Sequence, residues 1–400
     1  MGLGAAYLLD WANLLVRWLH VTVAIAWIGT SFYYIALDLH LLPPKDPAAD
    51  AAGVGGEVWE IHGGGFYRVE KYRVAPPSLP SPLHWFKWEA YTTWLSGFTL
   101  LVVLYYANAS TYLIDPSVAN VSPLLGVAIS VGILLVGWFV YDGLCRLLEG
   151  NDRLLALALA VVIVLAAYGT SRLFSARAGY LEVGAMIGTW MAANVRFIII
   201  PGQQELVAAK QAGREPDPLP GLRGKQRSVH NNYLTLPVVF AMLSNHFPFT
   251  YGHPYGWLIL VALMGLAAWT RHFFNLRNQG KVVWAIPASA ALGTLVVIVA
   301  AAPRQAPPSS QQASVSFSQA QAVISQRCLP CHSAHPTQPG FESAPSGVMF
   351  DTPADIVARA SQIDEQAVVT KNMPLGNLTS ITQPERDLLG AWVHEGAPGP

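Results

Sequence analysis

The sequence predicts an all-α protein in two parts: a polytopic membrane helix bundle of about eight spans (residues 1–302) and a small helical domain (residues 314–400). Three observations predict it. Charged residues make up only 12% of the 400 and hydrophobic ones 52%, too apolar for a soluble chain of this length. Apolar runs of spanning length recur along the first three quarters. A Pro/Gln/Ser stretch, Pro303–Ala313, then reads as a linker to a final segment of ordinary polarity. The formal net charge is zero, so nothing points to nucleic acid as a partner.

The apolar runs are Trp11–Leu39, Tyr91–Leu113, Pro123–Cys145, Leu154–Phe174, Tyr180–Ile200, Tyr233–Phe249, Tyr255–Leu276 and Val282–Ala302. The first has no basic segment before it and no small-residue cleavage site after it, so it is expected to remain as a membrane helix. The sixth is short and holds Asn245 and His246. Two long loops are expected, 41–90 and 201–232. Within the first, the alternation from Ile61 to Tyr72 around Gly63-Gly64-Gly65 predicts a hairpin.

The three cysteines are too few for a disulfide framework. Cys145 stands alone, and a small buried thiol is its ordinary role. Cys328-Leu329-Pro330-Cys331-His332 is a C-x-x-C-H motif: each thiol adds to a haem vinyl group, and His332 is placed to ligate the iron. Zinc would need a second Cys/His pair at suitable spacing, and a redox dithiol would leave His332 without a purpose. The second axial ligand should be a soft donor downstream. Lys371-Asn372-Met373-Pro374-Leu375-Gly376-Asn377 offers Met373 in a loop that resembles the ligand loop of class I cytochromes c. Ser316 to Gln319 can cap a helix entering the motif, and Thr382 to Glu385 a terminal helix through Trp392. The C-terminal domain therefore reads as a class I cytochrome c domain with one covalent haem c.

Haem attachment occurs outside the bacterial plasma membrane, which puts this domain in the periplasm. Eight spans then put the N-terminus there too. The loops left inside carry Lys45, Arg68, Lys71, Arg73 and Lys87, then Arg146 and Arg153, then Arg196, Lys210, Arg214, Arg223, Lys225 and Arg227, and finally Arg271, Arg277 and Lys281. The outside loops carry Arg172 and Arg177. This bias is the positive-inside pattern, and it assigns a multi-pass protein of the bacterial inner membrane.

Polar groups inside spans are functional candidates, because hydrocarbon penalises them. They include Arg17, His20, Glu182, Asn194, His246 and His272. His20 and Trp27 share one face of the first helix. The chain resembles the bacterial membrane-bound urate oxidases (urate hydroxylases) with a fused cytochrome c. The resemblance rests on the His20–Gly29 helix, the His62–Tyr67 loop, Leu83–Glu89 running into Tyr91–Gly97, His230–Pro237, Ser244-Asn245-His246 and the C-x-x-C-H domain. It implies oxidation of urate to 5-hydroxyisourate in purine catabolism, with electrons passing to the fused haem c and on to a periplasmic cytochrome c or terminal oxidase of the respiratory chain. That chemistry asks for a base and for amide-type groups on the substrate's edges. Glu89, His230 and Asn231 are the catalytic candidates, and Asn194, Arg196 and Asn232 the substrate-binding ones. Blander roles are an interfacial Glu89–Arg196 ion pair and helix N-capping by His230-Asn231-Asn232. Partners beyond urate are the lipid bilayer and, compatibly, a second copy in a homo-oligomer.

About 30 Å of hydrocarbon separates a cytoplasmic substrate from a periplasmic haem. Either the substrate site lies deep or a membrane cofactor relays electrons. His20 and His246 fall in the outer half of the bilayer, the depth for a haem b or another metal centre, although interhelical hydrogen bonding is the commoner use of such histidines. Rival functions are a membrane-anchored electron-transfer cytochrome and a haem- or metal-handling membrane protein, both without urate activity.

Overall fold

The computed structural model describes residues 5–302, 314–339, 341 and 343–400; the expected linker 303–313 lies outside the described residues. Helices account for 68% of the described residues. In chain order they begin with α1 (Ala5–His40), whose 36 residues span about 54 Å. Next come α2 (Trp88–Leu101, running into a π-helical turn Val102–Tyr106), α3 (Pro123–Leu147) and α4 (Asp152–Ser171). Then α5 (Ala176–Ala193) passes through a π-helical segment, Asn194–Ile199, into Ile200–Gln211, followed by α6 (Leu219–Leu243), α7 (Gly256–Asn278) and α8 (Ala285–Ala300).

Each of the eight apolar runs overlaps one of these helices. Among the described residues five are long and apolar enough to cross a membrane: α1 from Trp11, α3, α4, α5 with its continuation, and α7. α8 is apolar but has only 16 residues. α6 has the length, 25 residues, but its first half is polar.

Local chemistry sets the helix starts. Ser122 accepts the Leu125 N–H at 3.3 Å, with Pro123 at the first position of α3. Asn151 accepts the Leu154 N–H at 3.2 Å, directly after Gly150 at φ +86° turns the chain back from α3. α5 is the most buried of the long helices. Its Val183, Ile187 and Trp190 are fully enclosed with Tyr141 of α3, Leu155 of α4 and Leu260 of α7.

Among the described residues, the exception to an all-α fold is a hairpin between α1 and α2. Strands β1 (Val54–His62) and β2 (Gly65–Tyr72) pair antiparallel, with His62 opposite Gly65. Gly63 and Gly64 form the two-residue turn at φ +58° and +81°, which matches the strand twist and suits glycine. The hairpin reaches seven residues further back than the alternation from Ile61 indicated, because Gly55 and Gly56 interrupt the pattern where the register slips. The expected loop 201–232 is mostly helix, being the end of α5 and the start of α6.

The C-terminal unit holds α9 (Phe317–Arg327), α10 (Pro353–Ala358), α11 (Ala360–Ile363, continued by a π-helical turn Asp364–Val369) and α12 (Gln383–His394). Capping boxes start α9 at Ser316/Gln319 and α12 at Thr382/Glu385, at the expected positions, and a third starts α10 at Thr352/Asp355. Ile324, Ile356, Leu389 and Trp392 form its core. The Arg327–Glu385 ion pair at 2.9 Å ties α9 to α12. This unit rests on the bundle: the Tyr251 hydroxyl donates to Asn372 Oδ1 at 3.1 Å, and Gly376 lies so close to the Thr111 carbonyl that a Cβ there would come within 2.5 Å. A cleft of about 400 Å³ lies between the two, lined by Asp115, Arg172, Tyr180, Tyr251, Lys371 and Arg386 among others.

Candidate functional site

The polar half of α6 runs from Arg223 to Tyr233. Successive helical residues turn by 100°, so this stretch presents different groups to different neighbours. Arg227 and Asn231, four apart, face α3 and α5; Asn232 faces α7. His230, Asn231 and Asn232 lie inside the helix, which begins at Leu219, so the capping role is corrected. The helix starts earlier than its apolar residues suggest: Arg227, Asn231 and Asn232 are enclosed by protein, while Arg223 and Lys225 remain exposed.

Against α3 and α5 the groups saturate one another. Arg227, 4% exposed, donates from Nη2 to Asp142 Oδ1 at 2.6 Å and from Nη1 to Asn194 Oδ1 at 3.4 Å. Asn194 Nδ2 donates to the Tyr141 hydroxyl at 2.8 Å and to Asn231 Oδ1 at 2.9 Å. Asn231 Nδ2 donates to the Met191 carbonyl at 3.0 Å, and His230 Nδ1 meets the Tyr141 hydroxyl at 2.9 Å. The Arg227 guanidinium lies 5.0 Å over the Tyr141 ring, which also stacks on Trp190 at 4.9 Å. Only Trp190 Nε1 is left without a partner here. Asn194 opens the π-helical segment of α5, a distortion common where a helix must aim a side chain. Cys145 is buried beside this cluster, 3.9 Å from His230 Nδ1.

Against α7 the groups do not saturate. Asn232 is fully buried, and Arg271 and Asn275 are each 5% exposed. Arg271 Nε donates to Asn232 Oδ1 at 3.0 Å and Asn275 Nδ2 to the same oxygen at 2.9 Å. Asn232 Nδ2, Arg271 Nη2 and Asn275 Oδ1 have no hydrogen-bond partner. The Arg271 guanidinium sits 3.8 Å from the Phe32 ring centroid of α1. Next to it, the Tyr233 hydroxyl and His272 Nδ1 are 2.7 Å apart.

Of the six residues expected to act on urate, four therefore gather on α5 and α6, split between two clusters: Asn194, His230 and Asn231 in one, Asn232 in the other. Arg196 is exposed, its guanidinium 5.5 Å over Phe197, and Glu89 is half-buried at the start of α2. Neither has an ion-pair partner among the described residues, so they do not form the pair weighed for them. Sequence reasoning missed Tyr141, Asp142, Arg227, Arg271, Asn275 and Phe32. A helical-period reading of residues 219–233 and of Arg271/Asn275 could have flagged Arg227, Arg271 and Asn275; Tyr141, Asp142 and Phe32 sit on other helices and carry no local signal.

His20 Nδ1 faces the Thr93 carbonyl at 3.0 Å and the Ser96 hydroxyl at 3.1 Å. Gly97 makes room for the ring, since a Cβ there would lie 2.8 Å from His20 Cε1. The arrangement locks α1 to α2 and leaves Nε2 as the nitrogen open to a metal. His246 is exposed on the turn Ser244–His246. Glu182, inside α5, accepts from the Ser130 hydroxyl at 2.7 Å through Oε2 and leaves Oε1 unpaired.

In the C-terminal unit, α9 ends at Cys328, whose carbonyl accepts the Cys331 N–H at 3.2 Å and the His332 N–H at 3.0 Å. One turn thus carries both thiols and the imidazole. His332 Nδ1 meets the Val348 carbonyl at 2.9 Å, which fixes the tautomer with Nε2 free to ligate. Burial, and then the neighbouring Cys331, push the Cys328 thiol up to about 12, unlike the depressed thiol of a redox dithiol. Met373 is anchored by backbone alone: its N–H donates to the Gln366 carbonyl at 2.8 Å, and its carbonyl accepts from Arg386 Nη1 at 2.8 Å. The donor set of two thiols, one imidazole and one thioether fits a c-type haem.

Among curated proteins and among solved structures, none matches the chain. Residues 6–302, more than half of the 400, match the family model for the urate oxidase N-terminal family. That stretch takes in all eight helices of the bundle and both polar clusters. The chain belongs to the urate oxidase N-terminal family.

Proposed function

We propose that this chain is a membrane-bound urate oxidase that converts urate to 5-hydroxyisourate and delivers the electrons to a haem c in its C-terminal unit. The observation that carries the reading is the union, in one chain, of the urate oxidase N-terminal family over residues 6–302 with Cys328-x-x-Cys331-His332 beyond it. In the balanced reaction, urate and water give 5-hydroxyisourate, two electrons and two protons. A c haem held by Cys328, Cys331, His332 and Met373 supplies a one-electron acceptor, so two successive transfers are required. A periplasmic cytochrome c or a terminal oxidase then takes the electrons onward. Support for the coupling comes from Asn372, the neighbour of Met373, whose side chain is hydrogen-bonded to Tyr251 of the bundle. The loop offered as iron ligand thus abuts the urate oxidase portion.

In this reading all eight helices span the inner membrane, with the N-terminus and the C-terminal unit in the periplasm. The charge bias supports that orientation, and the five long apolar helices support the membrane. Glu89 and His230 stand for the proton-handling groups, with Asn231 as the third catalytic candidate. Of these His230 fits best: its Nδ1 is held by Tyr141 while Nε2 remains available to move a proton. The carboxamide of Asn231 is engaged at both ends and acts as a positioning group. His20, with Nδ1 held and Nε2 open, is the residue through which the bundle would hold a b haem or another metal.

Anaerobic mixing of purified full-length protein with urate, followed at the c-haem absorption band, tests the proposal. Urate-dependent reduction is expected. A haem that dithionite reduces but urate does not would overturn it, leaving an anchored electron carrier or a haem-handling protein.

A further inference from the structure

The three side chains gathered between α1, α6 and α7 have definite vacancies in their hydrogen bonding. Asn232 Oδ1 receives two donors, Arg271 Nε and Asn275 Nδ2. An oxygen must be the atom that accepts both, and a nitrogen must be the atom by which Asn275 donates, so both carboxamide orientations follow from the bonds. What is left over is therefore chemically specific: two donors, Asn232 Nδ2 and Arg271 Nη2, and one acceptor, Asn275 Oδ1. Buried polar atoms are almost always paired, and here three on neighbouring side chains are not. The charge is open as well. Among the described residues no carboxylate pairs with Arg271, whereas Arg227 in the other cluster has Asp142 at 2.6 Å.

We infer that Asn232, Arg271 and Asn275 bind the lactam edge of the urate anion, its carbonyl oxygen accepting from Asn232 Nδ2 and Arg271 Nη2 and its adjacent N–H donating to Asn275 Oδ1. The inference rests on urate being the substrate. Urate is a flat monoanion near neutral pH that alternates C=O with N–H, and it supplies both the missing acceptor and the missing donor. A phosphodiester headgroup or an inorganic anion such as chloride answers the charge and the two donors but brings no N–H for Asn275 Oδ1. Arg271 and Asn275, four apart on one face of α7, lie toward the helix end that leads to Arg277 and Lys281. The charge bias puts this end on the cytoplasmic side, where urate would enter.

Equilibrium binding of radiolabelled urate to the full-length holoprotein in detergent, anaerobically and with dithionite present to prevent turnover, tests the assignment. Asn275→Leu removes the acceptor at similar volume and is expected to weaken urate binding ten- to hundredfold. Asn275→Asp places a carboxylate beside Arg271. It is expected to weaken binding at least as much; the new ion pair with Arg271 offsets the lost donation to Asn232 Oδ1, so the unfolding temperature is expected to hold and a binding loss there is not a folding failure. Wild-type protein that binds urate, with both variants binding within twofold of it, overturns this inference and leaves the proposed function standing. Displacement of urate by millimolar inorganic phosphate marks a plain anion site and overturns the lactam assignment. Wild-type protein that binds no urate overturns the proposed function itself, and the inference with it.

Discussion

The two faces of α6 carry nearly the same chemistry and put it to different ends. Toward α3 and α5 there is one arginine, two asparagines and an aromatic ring under the guanidinium; toward α7 there is again one arginine, two asparagines and an aromatic ring. The first face adds Asp142, 2.6 Å from Arg227, and every charged or carboxamide group in it is bonded. The second has no carboxylate on its arginine and leaves three polar atoms open. Residue type alone does not mark a binding site. What separates a structural knot from a receptor is whether the valences close within the protein.

The largest test of this difference exchanges each arginine for an apolar side chain of similar length. Arg227→Met strips Asn194 and Asp142 of a buried partner, and such a loss costs several kcal/mol. Asp142 also binds the exposed helix neighbour Arg146 at 2.7 Å, which holds part of its charge. The expected destabilisation is therefore about 3 kcal/mol, at the low end for a broken buried pair, read by thermal or denaturant unfolding in detergent. A smaller effect of opposite sign is expected from Arg271→Met. It removes a buried cation that has no counter-ion, so the unfolding temperature should hold or rise while urate binding is lost. If Arg271→Met destabilised the ligand-free protein as much as Arg227→Met, the second cluster would be another structural knot and the comparison would collapse.

The same difference explains what could be read from the sequence. Features set by neighbours in the chain were legible: the Gly63-Gly64 turn, the capping boxes at Ser316 and Thr382, and the one-turn spacing of Cys328, Cys331 and His332. So was the family, through motifs spread from the His20–Gly29 helix to the C-x-x-C-H segment. The partners of those residues were not. Arg227 finds Asp142 across 85 positions and Asn232 finds Asn275 across 43, and no local pattern encodes either meeting. The start of α6 was hidden for a related reason. In a membrane bundle a helix face that packs on protein is free to be polar, so Arg223 to Asn232 look like loop although the backbone is helical. The split of Asn231 from Asn232 is visible only once that stretch is known to be helix, when adjacent residues must diverge by 100°.

The smallest test concerns the residue next to the open cluster. The Tyr233 hydroxyl is 2.7 Å from His272 Nδ1, and both rings belong to a stacked group with Trp269, which lies 5.4 Å from His272. Both partners are half-buried, so water can replace the lost bond, and Tyr233→Phe keeps the ring and its stacking. The expected cost is about 0.5–1 kcal/mol, near the limit of an unfolding measurement in detergent, with urate affinity changed less than twofold. This variant separates two explanations of the open cluster. If the unpaired atoms merely reflect loose packing of α6 on α7, loosening the contact further at Tyr233 should disturb urate binding about as much as Asn275→Leu does. If instead they are one half of a set of hydrogen bonds completed by the substrate, Tyr233→Phe leaves that set intact and only the substitutions at Asn232, Arg271 and Asn275 should register in binding.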